Sequence, residues 1–300
     1  MSQENLKTNA FWKPTFFRDF KGYEPLGALF ENYFSAYPQF PSITDYNQLA
    51  TEMYAQMALE KEYQVAFVLQ DFSKSFEKTA FTYRQIMTRP NNWHDLFNNL
   101  SWIIWPKTKW QIIQRYFSEE GMRETANRNQ TQSFLAQLDE CGFIVISADP
   151  MIAQLSFQHQ WSELFYHQKS RLQSMEAFVF GHGLMEKGLN PYIGMTGKAV
   201  FIGVTQSYFE LPMQERLAFS DHMLSQFVLV AANCNNPRAL QPFPFLGLPK
   251  WWENNEVLSF FQNTAYFRPM RNTHAESFVL NNFVDKSLWG QWQSICPDHW

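Results

Sequence analysis

Asn91-Asn92-Trp93-His94-Asp95-Leu96-Phe97-Asn98-Asn99-Leu100-Ser101-Trp102-Ile103-Ile104-Trp105-Pro106-Lys107-Thr108-Lys109 is the stretch from which the rest of the chain is read. Trp93, Leu96, Phe97, Leu100, Ile103 and Ile104 recur at the spacing of an amphipathic helix, capped by the Asn before it and closed by Pro106. Its apolar side faces inward. His94, Asn98 and Ser101 fall at i, i+4 and i+7, so an imidazole, an amide and a hydroxyl stack in one line beside the apolar stripe. Trp102 and Trp105 leave little of the helix for water. These polar groups are therefore expected to be partly buried and in need of partners.

Outward from this helix, the chain alternates helical and strand patterns. Leu26 to Ala36 reads as a short helix in an N-terminal stretch rich in Phe, Tyr and Pro. Thr44-Asp45 offers a cap for a helix to about Glu60. Val65 to Leu69 is a compact apolar run and reads as a strand; Phe76 to Met87 reads as a helix ended by Thr88-Arg89-Pro90. Trp110 to Phe117 is again helical, and Gly121 to Asn129 is polar and exposed. Thr131 to Glu140 is a helix stopped at Gly142, followed by a strand from Phe143 to Ser147. Asp139 and Glu140 thus sit at a helix C-terminus, where the dipole disfavours negative charge. Either they face water and are screened, or a cation is held nearby.

Further on, Trp161 to Leu172 and Glu176 to Gly188 read as helices, with His182 on an apolar face between Gly181 and Gly183 and Glu186 one turn later. Two glycines inside a helix cost about 1 kcal/mol each relative to alanine, which points to close approach of another backbone or a ligand. Val200 to Val204 is a second strand, and Leu211 to Ala232 a long helix. The proline-punctuated segment from Phe243 to Trp252 is expected to drape over the core surface. The expected fold is a predominantly helical, single α+β domain with a small β-sheet. Residues 1–45 form an aromatic and proline-rich wrap, 46–271 the core, and 272–300 a tail packing back on it.

Composition narrows the function. Of 300 residues, 18% are aromatic, with 30 Phe and 11 Trp, and only 17% are charged, against about a quarter in ordinary domains, so a sizeable core is expected. A net charge of -4 gives no overall drive towards nucleic acid or an anionic membrane, although Lys107, Lys109 and Arg115 could form a local basic patch. Cys141, Cys234 and Cys296 are far apart and in no Cys-x-x-Cys pair, which speaks for a reducing, cytoplasmic setting. No secretory signal and no apolar run of membrane-spanning length is visible. Oligomeric state is not readable from these features.

Five ordered motifs, Asn92 to Asn98 with Pro106 to Lys109, Leu138 to Gly142, Phe180 to Lys187, Pro244 to Pro249 and Phe267 to Pro269, resemble an uncharacterised bacterial family, domain of unknown function 3025. They span roughly residues 60 to 271. The resemblance implies landmarks and no activity. This chain departs from the family pattern at Cys141, where relatives carry Asn, at Gly183, where they carry Ala, and at Gln262-Asn263, which replaces an acidic pair.

The residues themselves suggest chemistry. His94, Asp139, Glu140, His182 and Glu186 are the ligand types of zinc, manganese or non-haem iron. His182-x-x-x-Glu186 lets two ligands address one divalent ion, zinc or manganese, from one helix face, and His94 completes the set from another helix. Such an ion would polarise an oxygen or activate water, which means hydrolysis or a related Lewis-acid reaction, with a small molecule as the expected substrate. His94, Asn98, Asp139 and Glu140 are the candidate catalytic residues, and Lys107 and Arg268 the candidate substrate-binding cations. Metal-free acid-base work by His94 with Asp139 ranks below this. Cys141 beside two acids is a poor nucleophile. The competing expectation is a non-catalytic interaction or scaffold protein, in which His182 and Glu186 are a satisfied buried pair and the 243–252 segment meets a partner. Convergence of both histidines and the carboxylates on one open pocket separates the two.

Overall fold

The computed structural model describes residues 11–35, 37–118 and 128–270. The expected tail, 272–300, lies outside the described residues, as does most of the polar 121–129 segment. The chain folds as an α+β domain, predominantly helical, with two small sheets.

Helices α1 (Glu24–Phe34) and α2 (Ile43–Gln56) come first. The start of α2 is set by Ser42 with Asp45 in a reciprocal capping box, two residues earlier than the Thr44-Asp45 reading. Strand β1 (Ala66–Leu69) pairs in parallel with β2 (Gln85–Thr88), and α3 (Phe76–Tyr83) connects them. The helix expected to run to Met87 therefore stops early. Arg84, in the left-handed region at φ 55°, ends it, and Ile86, Met87 and Thr88 turn into the sheet.

Helix α4 (Trp93–Ile104) is capped by Asn92, whose side chain accepts from the Asp95 N–H. Pro106 does more than close it. The residue before a proline is pushed out of helical geometry, and Trp105 (φ -121°, ψ 54°) makes the corner. Pro106 then opens α5 (Pro106–Ser118), where its missing N–H costs nothing. The next donors, Lys107 N–H and Thr108 N–H, give 3.1 and 2.8 Å hydrogen bonds to the Asp221 carboxylate of α9 (Met213–Leu229). Burial pushes that carboxyl from 3.8 up to about 6. The folded state thus keeps a proton that the unfolded chain releases near 3.8. Stability is expected to fall as pH rises between about 4 and 6. Asp221→Asn should flatten that slope in urea titrations across this range.

After α6 (Gln130–Cys141) the chain enters β3 (Gly142–Ser147), every residue of which is buried. The second sheet has the order β4-β3-β5-β6. Strand β4 (Met175–Val179) runs antiparallel to β3, β5 (Gly197–Gly203) parallel to it, and β6 (Gln241–Phe243) antiparallel to β5. Between β3 and β4 stand α7 (Pro150–Phe157), a π-turn over Glu163–His167 and a 3-10 segment over Lys169–Ser174, in place of the single helix expected from Trp161 to Leu172. The helix expected from Glu176 is instead strand β4 followed by a short α8 (His182–Lys187). The apolar pattern of 175–179 suits a strand buried on β3 as well as a helix stripe.

Of the segment expected to drape, 243–248 is buried in the core, and only 249–252 lies at the surface. Phe243, Phe245 and Leu246 are fully buried, and Phe143 of β3 stacks between Phe243 (5.4 Å) and Phe245 (5.2 Å). The N-terminal aromatics are likewise part of the core: Tyr23 stacks on Phe97 of α4 at 5.3 Å and its hydroxyl donates to the Met185 carbonyl of α8 at 2.5 Å. α10 (Leu258–Phe261) follows. No helix among the described residues is long and apolar enough to cross a membrane.

Candidate functional site

Helices α4, α5, α6 and α8 bring the polar residues together. Gly142 ends α6 and its carbonyl accepts from Phe180 N–H (3.0 Å) and Gly181 N–H (2.9 Å), so the start of α8 is pinned against the end of α6. The glycines permit this approach, although Gly181 caps α8 rather than lying inside a helix. A Cβ on Gly181 would sit 2.5 Å from the backbone nitrogens of Cys141 and Gly142, and one on Gly183 would collide with the Glu140 carboxylate. Backbone cannot yield as a flexible side chain can. Gly181→Ala is expected to cost about 1–3 kcal/mol in chemical denaturation, whereas Gly183→Ala folds and displaces Glu140.

His94 Nδ1 hydrogen-bonds Glu186 Oε2 at 2.8 Å, across 92 residues of sequence. That bond raises the His94 pKa above its ordinary value, against the opposing effect of burial. The His94 and His182 rings meet edge to face with centroids 4.6 Å apart. His182 Nε2 lies 3.5 Å from Glu140 Oε1, and this contact chiefly holds the Glu140 carboxyl down, from 4.5 to about 2. His182 is buried, and its Nδ1 has no hydrogen-bond partner; Asp139 Oδ2 stands 3.8 Å away.

Lys109 completes the arrangement. Its side chain is only 2% exposed, and its ammonium donates to Asp139 Oδ1 at 2.5 Å and to Asn98 Oδ1 at 2.9 Å. It is the cation that the acids at the α6 C-terminus called for. Burial of Lys109 also removes the expected basic patch, and Lys107 instead pairs with Glu60 at 3.2 Å. The signal that could have found Lys109 was the placement of two carboxylates against a helix dipole, together with its position one turn from Ile113 on a buried helix face.

These groups line a cavity of about 400 Å³ that contains His94, Asn98, Asp139, Glu140 and His182. Six of the sequence-selected residues therefore converge, Glu186 from just behind His94. Arg268 and Lys107 do not line it. The Arg268 carbonyl accepts from Trp161 Nε1 at 3.0 Å, and its guanidinium donates to the Ala265 carbonyl at 3.3 Å, so Arg268 is not placed to bind a substrate in this cavity. Arg89, read from the sequence only as part of a helix end, does line the cavity. It holds Asp95 through two side-chain nitrogens, at 3.0 and 2.6 Å.

One donor each from His94, Glu140 and His182 lies within 4.8 Å of the others, the only such group of histidines, cysteines and acids among the described residues. The set differs from the expected His94, His182 and Glu186, because Glu186 is spent on His94 Nδ1. A carboxylate on the far nitrogen orients a histidine for metal through its other nitrogen. Tetrahedral zinc with ligand bonds of about 2.1 Å needs donors about 3.4 Å apart. The 3.5 Å between His182 and Glu140 meets that spacing. By donor type the residues suit a divalent ion, and one of their pairs has its spacing.

The sequence model of a family described as a protein of unknown function, DUF3025, matches residues 65–271. The chain belongs to the DUF3025 family. The matched region holds every residue of the site, from His94 to Glu186. No curated protein and no solved structure matches the chain.

Proposed function

We propose that this DUF3025 protein is a hydrolase acting on a small-molecule substrate, with a divalent ion, zinc or manganese, held by His94, Glu140 and His182. The observation that carries the reading is the convergence of these three donors, from α4, α6 and α8, on the floor of one cavity. Bound there, the ion would supply Lewis acidity and lower the pKa of water. Glu186 fixes the His94 ring, and Asp139, held by Lys109, faces His182 Nδ1 from the other side. Asn98 spends its carbonyl oxygen on Lys109 and so leaves its amide NH2 to the cavity as a donor for a substrate oxygen. The thiol of Cys141, in no disulfide, accords with a cytoplasmic location.

The scaffold alternative is less favoured, because residues 243–248 of the aromatic segment offered for a partner are built into the core. Titration of metal-stripped protein with zinc and with manganese tests the proposal. One equivalent bound by the native chain, and none by His182→Ala, is the expected result. A native chain that takes up neither ion ends the metal reading.

A further inference from the structure

The cavity has two ends of different character. On α6, Leu135 and Ala136 stand one helical turn before Asp139 and Glu140, and all four line it. On α5, Ile112 and Ile113 stand one turn after Lys109, and Tyr116 one turn further. A turn is about 5.4 Å. On α6 the lining therefore passes from charge to hydrocarbon over about one turn, and on α5 the hydrocarbon begins one turn after Lys109, which stands behind the wall. Ile112, Ile113 and Leu135 are nearly fully buried, as is Met87 on a neighbouring wall.

Charge selects further. Arg89 and Arg128, the two arginines lining the cavity, each have a carboxylate within reach: Asp95 at 2.6 Å and Glu77 at 3.9 Å. Lys109, behind the wall, is held by Asp139. Apart from the ion itself, the lining offers a doubly charged phosphate only arginines that already face carboxylates, and it sets Glu140 and Asp139 against it.

We propose that the substrate is an uncharged amide or ester of an apolar acyl group, its hydrocarbon lying between α5 and α6 and its carbonyl at His94, Glu140 and His182. This rests on the hydrolase reading and adds the substrate class. In the reaction the oxygen of water bonds to the acyl carbon, the carbon–nitrogen or carbon–oxygen bond breaks with its electron pair going to the leaving group, and the proton given up by water goes to that leaving group.

Two series of probes test it on the full chain. With zinc-loaded protein, n-alkyl hydroxamic acids of two to ten carbons are titrated calorimetrically. Affinity is expected to rise about fourfold per methylene until the apolar end is filled, and then to level off. Alkylphosphonates of equal tail length should bind at least tenfold more weakly. With metal-free protein, n-alkyl amides followed by NMR should give the same dependence on tail length. Ala136→Phe, a substitution into open cavity, should stop the gain at a shorter tail, and Ile113→Ala should extend it. An amide series with no dependence on tail length, or phosphonates that bind as tightly as hydroxamates, overturns the proposal. Failure of zinc to bind removes the metal reading alone, since the amide series still reports on the apolar end.

Discussion

Lys109→Met is expected to lower the stability of the folded chain by about 3–5 kcal/mol, read as a shift in the urea midpoint at constant slope. The reason lies in what the ammonium leaves behind. Asp139 and Asn98 both point oxygens at it, from different helices, and neither has another hydrogen-bond partner to replace it among the described residues. A carboxylate three-quarters covered and stripped of its cation is more costly than no charge at all. The double variant Lys109→Met with Asp139→Leu should recover most of the loss. If the single and double variants are equally destabilised, the ion pair is not what joins α5 to α6.

Replacement of Glu186 by Gln should weaken zinc binding by about 10–100-fold, because the carboxylate both orients the His94 ring and raises its basicity. It should also change the pH dependence. Zinc must displace the proton from His94, whose pKa is raised chiefly by Glu186, so affinity in the native chain climbs with pH until that proton is gone. Without the carboxylate the proton leaves earlier, and the climb should end at a lower pH. The metal-free protein carries the matching signature. The His94 to Glu186 contribution to stability is fully present below the ordinary imidazole pKa of 6.5 and is lost as pH rises through the higher folded value. Glu140 behaves in the opposite sense: its contribution is present above 4.5 and is lost as pH falls towards about 2. NMR titration of the His94 ring in both proteins measures the first shift directly.

Much of the site could be read from local spacing. His94 and Asn98 at i and i+4, and His182 and Glu186 at the same interval, mark helix faces, and a helix with Trp102 and Trp105 on its remaining sides cannot hide where its imidazole points. Asp139 and Glu140 announced themselves by standing at the wrong end of a dipole. Pairings between distant elements were not legible. Lys109 looks like any surface lysine until α6 is laid beside α5, and the choice between Glu140 and Glu186 as the third donor depends on which carboxylate the His94 ring turns to. Arg268 was selected by residue type, and type says nothing of the face on which a loop is tied down.

The fold was misread where an apolar run is short. Five residues do not set a period that separates strand from helix, so Met175 to Val179, half-buried over its first three residues, fits both. Phe243 to Leu246 is as short, and Pro244 suggested surface. Phe143 of β3, stacked within 6 Å of both Phe243 of β6 and Phe245 of the following turn, holds that segment inside.

His94 and Glu186 touch across 92 residues, and the remaining donors are Glu140 of α6, between them in the chain, and His182 of α8, the helix that carries Glu186. No fragment that stops short of α8 can assemble this constellation. Occupancy of the site would thus certify a finished protein, and free metal at about a hundred times its dissociation constant would add about 2.7 kcal/mol in favour of the intact form. A cell's supply of the ion would then help to decide how much of this chain survives its proteases.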